Sequence, residues 1–167
     1  MIYLFSLWFH LLGLAVYFGS GITMVVMFFP LASQISPSQE QHRFLAQGLR
    51  IYNPLSIGAL GVLLMTGAFN LTSYKAILGP QFLSQLGLVL GLKLLLAFLL
   101  INVSVFVSLG LGHRLVRMHL SGETMEPERL ARMLKRMKTF TIVALVLTGI
   151  IVFLSLNMTY LMRMPPS

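Results

Sequence analysis

Cysteine and aspartate are both absent from the 167 residues, and the only acids are Glu40, Glu123, Glu126 and Glu128. Without cysteine there are no disulfides, no thiolate metal sites and no Cys nucleophile. Without aspartate a Ser-His-Asp triad cannot be assembled. No carboxylate stands inside an apolar run, where a proton-coupled carrier would place a pair. Charged residues make up 10% of the chain, and the GxxxxGK[ST], HExxH and GxGxxG motifs do not occur. What is abundant is apolar: 57% of the residues are hydrophobic and the mean hydropathy is +0.87. So little polar surface cannot cover such a core in water. The composition predicts an all-α integral membrane protein.

Four apolar runs reach the ~20 residues that a bilayer demands. They cover about 3–31, 54–73, 82–111 and 137–162, and predict a single four-span bundle. The first run is too long for a signal peptide and lacks a basic leader, so it reads as a retained helix that exits near Pro30 and Pro37. Between the first two spans, Phe44, Leu45, Leu49 and Tyr52 recur near helical spacing, which predicts a short interfacial helix over 37–52, with Ser36 as N-cap and Pro37 at its first position. Gly79-Pro80 marks a tight outer loop. Pro127 opens the last helix, and Gly110 and Gly112 are the candidate breaks in the third. If they do not break it, residues 112–136 form helical extensions beyond the membrane.

The net charge of +8 has an address. Arg43, Arg50, Arg114, Arg117, Arg129, Arg132, Lys135, Arg136 and Lys138 all fall on the side of the first and third linkers, with Lys75 and Arg163 on the other. The positive-inside rule puts those linkers in the cytoplasm and both termini outside, on the periplasmic face if the membrane is a bacterial inner membrane. The basic stalk reads as a contact for lipid headgroups rather than for nucleic acid.

Small residues mark candidate helix contacts: Gly13, Gly19, Ser20 and Gly21 on the first span, Gly58, Gly61, Gly67 and Ala68 on the second, and a GxxxG at Gly87 and Gly91 on the third. The second and fourth spans echo one another faintly, Thr66-Gly67 with Asn70 against Thr148-Gly149 with Asn157.

Two ionisable residues stand inside spans, His10 and Lys93. An intramembrane charge is costly and marks a candidate site. Counted from the outer ends, His10 lies roughly 10 Å deep and Lys93 roughly 15 Å. Met65 lies at a similar depth, with Asn157 and Met158 slightly shallower. Three readings compete for this layer. His10 ligates a b-type haem between the helices, with Lys93 on a propionate or as second ligand. Or His10 with the thioethers of Met158 and Met162, or of Met24 and Met27, takes Cu(I). Or His10 and Lys93 are structural, bonded to neighbouring polar groups or snorkelling. Most of the eleven methionines are filler for an apolar interior. His113 and His119 are six residues apart, so a regular helix turns them to opposite sides. His42 and both of these read as interfacial, with His113 the best of them as a second haem ligand or quinone-site donor.

The stretch Trp8-Phe9-His10-Leu11-Leu12-Gly13, the entry Arg50-Ile51-Tyr52-Asn53, Leu64-Met65-Thr66-Gly67 and the run Leu90-Gly91-Leu92-Lys93-Leu94 resemble the HemJ-type protoporphyrinogen oxidases and the membrane domains of the copper-resistance protein D (CopD) family. The resemblance covers about residues 5–118. It implies a compact helical membrane protein with haem b at His10, a functionally important Lys93 and Arg50 beside the cofactor site; the CopD side implies copper handling. The HemJ type carries an Arg and a His where Val26 and Leu31 stand here, and a further His near Ser104. These departures point away from the oxidase reaction and toward electron transfer or a subunit of a redox complex. The expected partners are the bilayer, redox subunits or a second copy of the chain.

Overall fold

The computed structural model describes residues 1–36, 38–79, 82–122 and 126–161, apart from the side chains of residues 38, 73–74, 77–78, 82–86 and 158–161. The described residues are almost all helical, with no strand among them. The helices are α1 (Ile2–Thr23), a first π-helical segment (Met24–Phe28), α2 (Phe29–Gln34), α3 (Ser38–Leu78), α4 (Phe82–Val105), a second π-helical segment (Phe106–Gly112), α5 (His113–Leu120) and α6 (Pro127–Leu161). α1 runs through its π segment into α2 without a break, and α4 runs the same way into α5. Four rods result, each with a stretch long and apolar enough to cross a membrane. The protein is the all-α four-helix bundle that its hydropathy predicts. Trp8, Met65, Leu88, Phe98 and Phe153 all lie more than half exposed on its flanks, a surface suited to lipid.

Two expected breaks are absent, and the candidate break at Gly110 and Gly112 does not occur either. The segment 37–52 is no separate interfacial helix: α3 continues through Pro54 for 41 residues. A proline inside a helix removes one hydrogen bond and crowds the carbonyl four residues back, but the long apolar face of α3 against α1 carries the helix across. Pro30 does not end the first rod either; it sits in the first turn of α2. The π segment just before it explains why. There the Phe29 N–H bonds the Met24 carbonyl, five residues back, so the backbone is already widened where the Pro30 ring would crowd its own turn. Gly110 and Gly112 likewise fall within the second π segment, which bends the bookkeeping of the ladder without ending the rod. Pro37, the expected first residue of the next helix, lies outside the described residues. Pro127 does open α6, as expected.

The rods outrun a bilayer. At ~1.5 Å per residue, α3 is roughly 60 Å long, against a hydrocarbon core of about 30 Å. The surplus gathers at the basic end, in the start of α3, in α5 and in the start of α6.

α1 packs chiefly on α3 and α4 chiefly on α6, with lesser α3–α4 and α1–α6 contacts closing the ring. Inward residues recur every three or four positions. On α1 and its π segment they are His10, Gly13, Tyr17, Gly21 and Met24. Two apolar layers fill the axis. One holds Tyr17, Ala59, Leu60, Leu100 and Ala144. The other, nearer the basic end, holds Met24, Leu45, Leu49, Leu115, Leu130 and Met137.

Some glycines set the spacing and others do not. A Cβ at Gly48 would overlap the Phe28 ring, one at Gly112 would lie 2.6 Å from the Asn53 amide oxygen, and one at Gly21 would lie 2.9 Å from Leu145. Gly13 approaches Val62 at 3.2 Å on the same test. Gly19, Gly58, Gly61, Gly87 and Gly91 face open space, so the GxxxG of α4 makes no contact among the described residues. The sequence echo also dissolves in three dimensions: Asn70 is buried and Asn157 exposed, and Gly67 meets His10 while Gly149 meets nothing.

Candidate functional site

Near its start α1 carries Ser6 and His10 on the inward stripe, and α3 answers each of the two. The Ser6 hydroxyl donates to the Asn70 amide oxygen at 3.0 Å. One turn deeper, His10 Nδ1 lies 2.8 Å from the Thr66 hydroxyl. The direction of that bond follows from a count of protons. The Thr66 hydroxyl has one, and it goes to the Val62 carbonyl at 2.6 Å, the usual back-bond of a helical threonine. The Thr66 oxygen is therefore an acceptor, and His10 Nδ1–H is the donor. The neutral imidazole then carries its lone pair on Nε2. A histidine oriented through Nδ1 is the form in which imidazole binds metals at Nε2.

Lys93 stands on α4. Its ammonium has no hydrogen-bond or ion-pair partner among the described residues, and the side chain is half-buried. By depth His10 and Lys93 fall in one layer. Gly67 adjoins it, since a Cβ there would lie 3.6 Å from His10 Cε1. Beside the pair, Ile2, Phe5, Ser6, Met65, Thr66 and Phe69 line an open groove of about 270 Å³ between α1 and α3.

The other sequence candidates do not join this layer. Arg50 is exposed on α3, sixteen residues from Thr66 and so roughly 24 Å along the helix, at the basic end. Asn157 is exposed and bonds back to the Phe153 carbonyl of its own helix at 3.5 Å. His113 is exposed at the start of α5. Met24 is buried in the basic-end core while Met27 points outward, so these two thioethers do not converge. The side chain of Met158 and the whole of Met162 lie outside the described residues. Among the described residues, no three His, Cys, Asp or Glu come together.

Two polar groupings escaped the sequence reading. His42 is buried on α3 and meets His119 of α5 edge to face, with ring centroids 5.7 Å apart. In the middle of the bundle, hydroxyls from all four rods gather: Tyr17, Tyr52, Ser56, Ser104, Ser108 and Thr141. Tyr17 and Ser104 are 2.5 Å apart. Ser104 spends its own proton on the Leu100 carbonyl at 2.7 Å, so Tyr17 is the donor in that pair. The signal available in the sequence was the presence of hydroxyl residues deep within spans, but serine and threonine bond so readily to their own helix that presence alone does not mark a site.

No family model matches this chain, and no curated protein or solved structure matches it.

Proposed function

We propose that this chain is a multi-pass membrane protein that holds haem b at His10 and serves in electron transfer, as a small redox protein or a subunit of a redox complex. The observation that carries the reading is the His10–Thr66 bond. A purely structural histidine would spend both nitrogens on partners or face the lipid. Here Nδ1 is committed to Thr66, which leaves the Nε2 lone pair to a ligand. Lys93 supplies the complementary charge: a half-buried ammonium without a carboxylate of its own suits the propionate of a porphyrin. The resemblance of the first and third spans to the HemJ type agrees with both roles. When bound, haem supplies one-electron chemistry; the chain's part is to ligate iron through His10, anchor an acid group at Lys93 and exclude water with the apolar layer around Leu60 and Leu100.

Arg50, Asn157 and His113 stand away from this layer, so the second axial position would come from elsewhere. The copper reading keeps only His10 and the thioethers near the end of α6. We orient the protein with its basic end in the cytoplasm, where exposed Arg43, Arg114, Arg117, Arg132 and Lys135 would meet anionic headgroups, and with the start of α1 and the end of α6 outside.

The visible spectrum of the detergent-solubilised protein from haem-replete cells tests the proposal. A Soret band that disappears in His10→Ala is the expected result. A colourless wild-type protein overturns it.

A further inference from the structure

The hydroxyls at the centre of the bundle enclose a cavity of about 10 Å³. A single water needs about that much room by the same measure. Five of its six hydroxyl residues are fully buried, and one of them is anomalous: Ser108 is 1% exposed, and its Oγ has no hydrogen-bond partner among the described residues. Its neighbours show what a serine or threonine ordinarily does at such a place. Ser104, Thr141 and Thr148 each return their proton to the carbonyl four residues back, at 2.7, 2.8 and 2.8 Å.

Ser108 differs because it lies in the second π-helical segment. There the ladder skips a residue, as in the His113 N–H that bonds the Ser108 carbonyl five positions back. The wider turn carries the carbonyl of Ser104 away from the Ser108 hydroxyl and leaves that hydroxyl facing the cavity. An orphaned hydroxyl in a membrane interior has no bulk solvent to fall back on.

The walls also have a definite donor balance. Tyr17 gives its proton to Ser104, and Thr141 gives its own to the Met137 carbonyl. Both oxygens keep lone pairs. The cavity therefore has acceptors from α1 and α6, the unspent hydroxyl of Ser108 from the π segment, and the mutually bonded Tyr52 and Ser56 from α3. A small ligand that can accept from Ser108 and also donate fits these walls.

We propose that this cavity is a binding site for one ordered water, which accepts from Ser108 and donates to Tyr17 and Thr141. The water joins three rods directly, and the fourth, α3, closes the site with Tyr52 and Ser56. It fixes the relative register of helices whose apolar faces would otherwise slide with little preference. The π segment is what makes the site: with regular α-helix at 106–112, Ser108 would satisfy itself and the cavity would lose its donor.

A crystal structure of the full chain grown from a lipid mesophase, with rubidium replacing sodium, tests this directly. The expected result is one peak within hydrogen-bond distance of Ser108 Oγ and of Tyr17 Oη or Thr141 Oγ1, with no anomalous rubidium signal. An empty cavity, a Ser108 hydroxyl bonded to the Ser104 carbonyl, or a rubidium peak each overturns the proposal. Thermal unfolding of Ser108→Ala reads the same question by sign. A bridging water predicts a fall in Tm of about 2–4 °C, for one lost hydrogen bond in a chain of this size. A rise in Tm, as deletion of a dry orphan hydroxyl would give, overturns it.

Discussion

Thr66 fixes the tautomer of His10. Its single proton is held by the Val62 carbonyl at 2.6 Å, so the 2.8 Å contact with His10 runs from the imidazole to the hydroxyl. A residue with no chemistry of its own thereby decides which nitrogen of the histidine is available. Removing that orienting bond usually costs ~10–100-fold in metal affinity. Thr66→Val is therefore expected to keep the fold and weaken haem retention about 10-fold or more, while His10→Ala abolishes the Soret band. Haem titration of the apo-protein, followed at the Soret maximum, checks both. Equal affinity for wild type and Thr66→Val would show that Thr66 has no such role.

Lys93 predicts two effects of opposite sign. A half-buried ammonium without a partner carries a desolvation cost, up to roughly 3 kcal/mol at a membrane centre. Lys93→Met should raise the thermal stability of the haem-free protein and lower its haem content. Tm and the Soret-to-280 nm ratio, measured on the same preparations, separate the two. A variant less stable than wild type when haem-free would place a structural partner on Lys93.

Glycine substitutions should divide sharply by position. Gly48→Ala forces a methyl into the Phe28 ring, at the junction of α3 with the first rod, and overpacking of this kind costs about 1–3 kcal/mol. Gly91→Ala meets open space on α4 and should be neutral or slightly stabilising through helix propensity. Unfolding in mixed micelles compares them. If Gly91→Ala were the damaging one, that face of α4 would be covered by another molecule.

The absence of cysteine makes topology simple to test. Single cysteines can be placed at Ser121, in the turn after α5, and at Lys75, near the other end of α3; both residues are exposed. With the basic end inside, a membrane-impermeant maleimide should label Lys75→Cys in intact cells, and Ser121→Cys only after the membrane is opened. The reverse pattern would invert the protein.

The sequence alone determined the class of this protein and the charge asymmetry from which its direction is proposed. Both depend on sums along the chain: apolar residues over twenty positions, and basic residues gathered into the linkers of one side. It also singled out His10 and Lys93, because an ionisable group in an apolar run is conspicuous whatever it faces. It misplaced the exit at Pro30 and the boundary between 52 and 54, because local helix-breaking propensity is weak against the packing of a long apolar face. What only the tertiary structure decided was which polar groups meet. Tyr17 and Ser104 are 87 residues apart in sequence and share a hydrogen bond. His42 finds His119, and Arg50 stays outside. The orphaned hydroxyl of Ser108 depends on something subtler still, one extra residue in a helical turn. These outcomes rest on rotation and register between rods, to within a fraction of a helical turn, and a sequence of leucines, serines and glycines constrains each rod's faces without saying how the four are turned against one another.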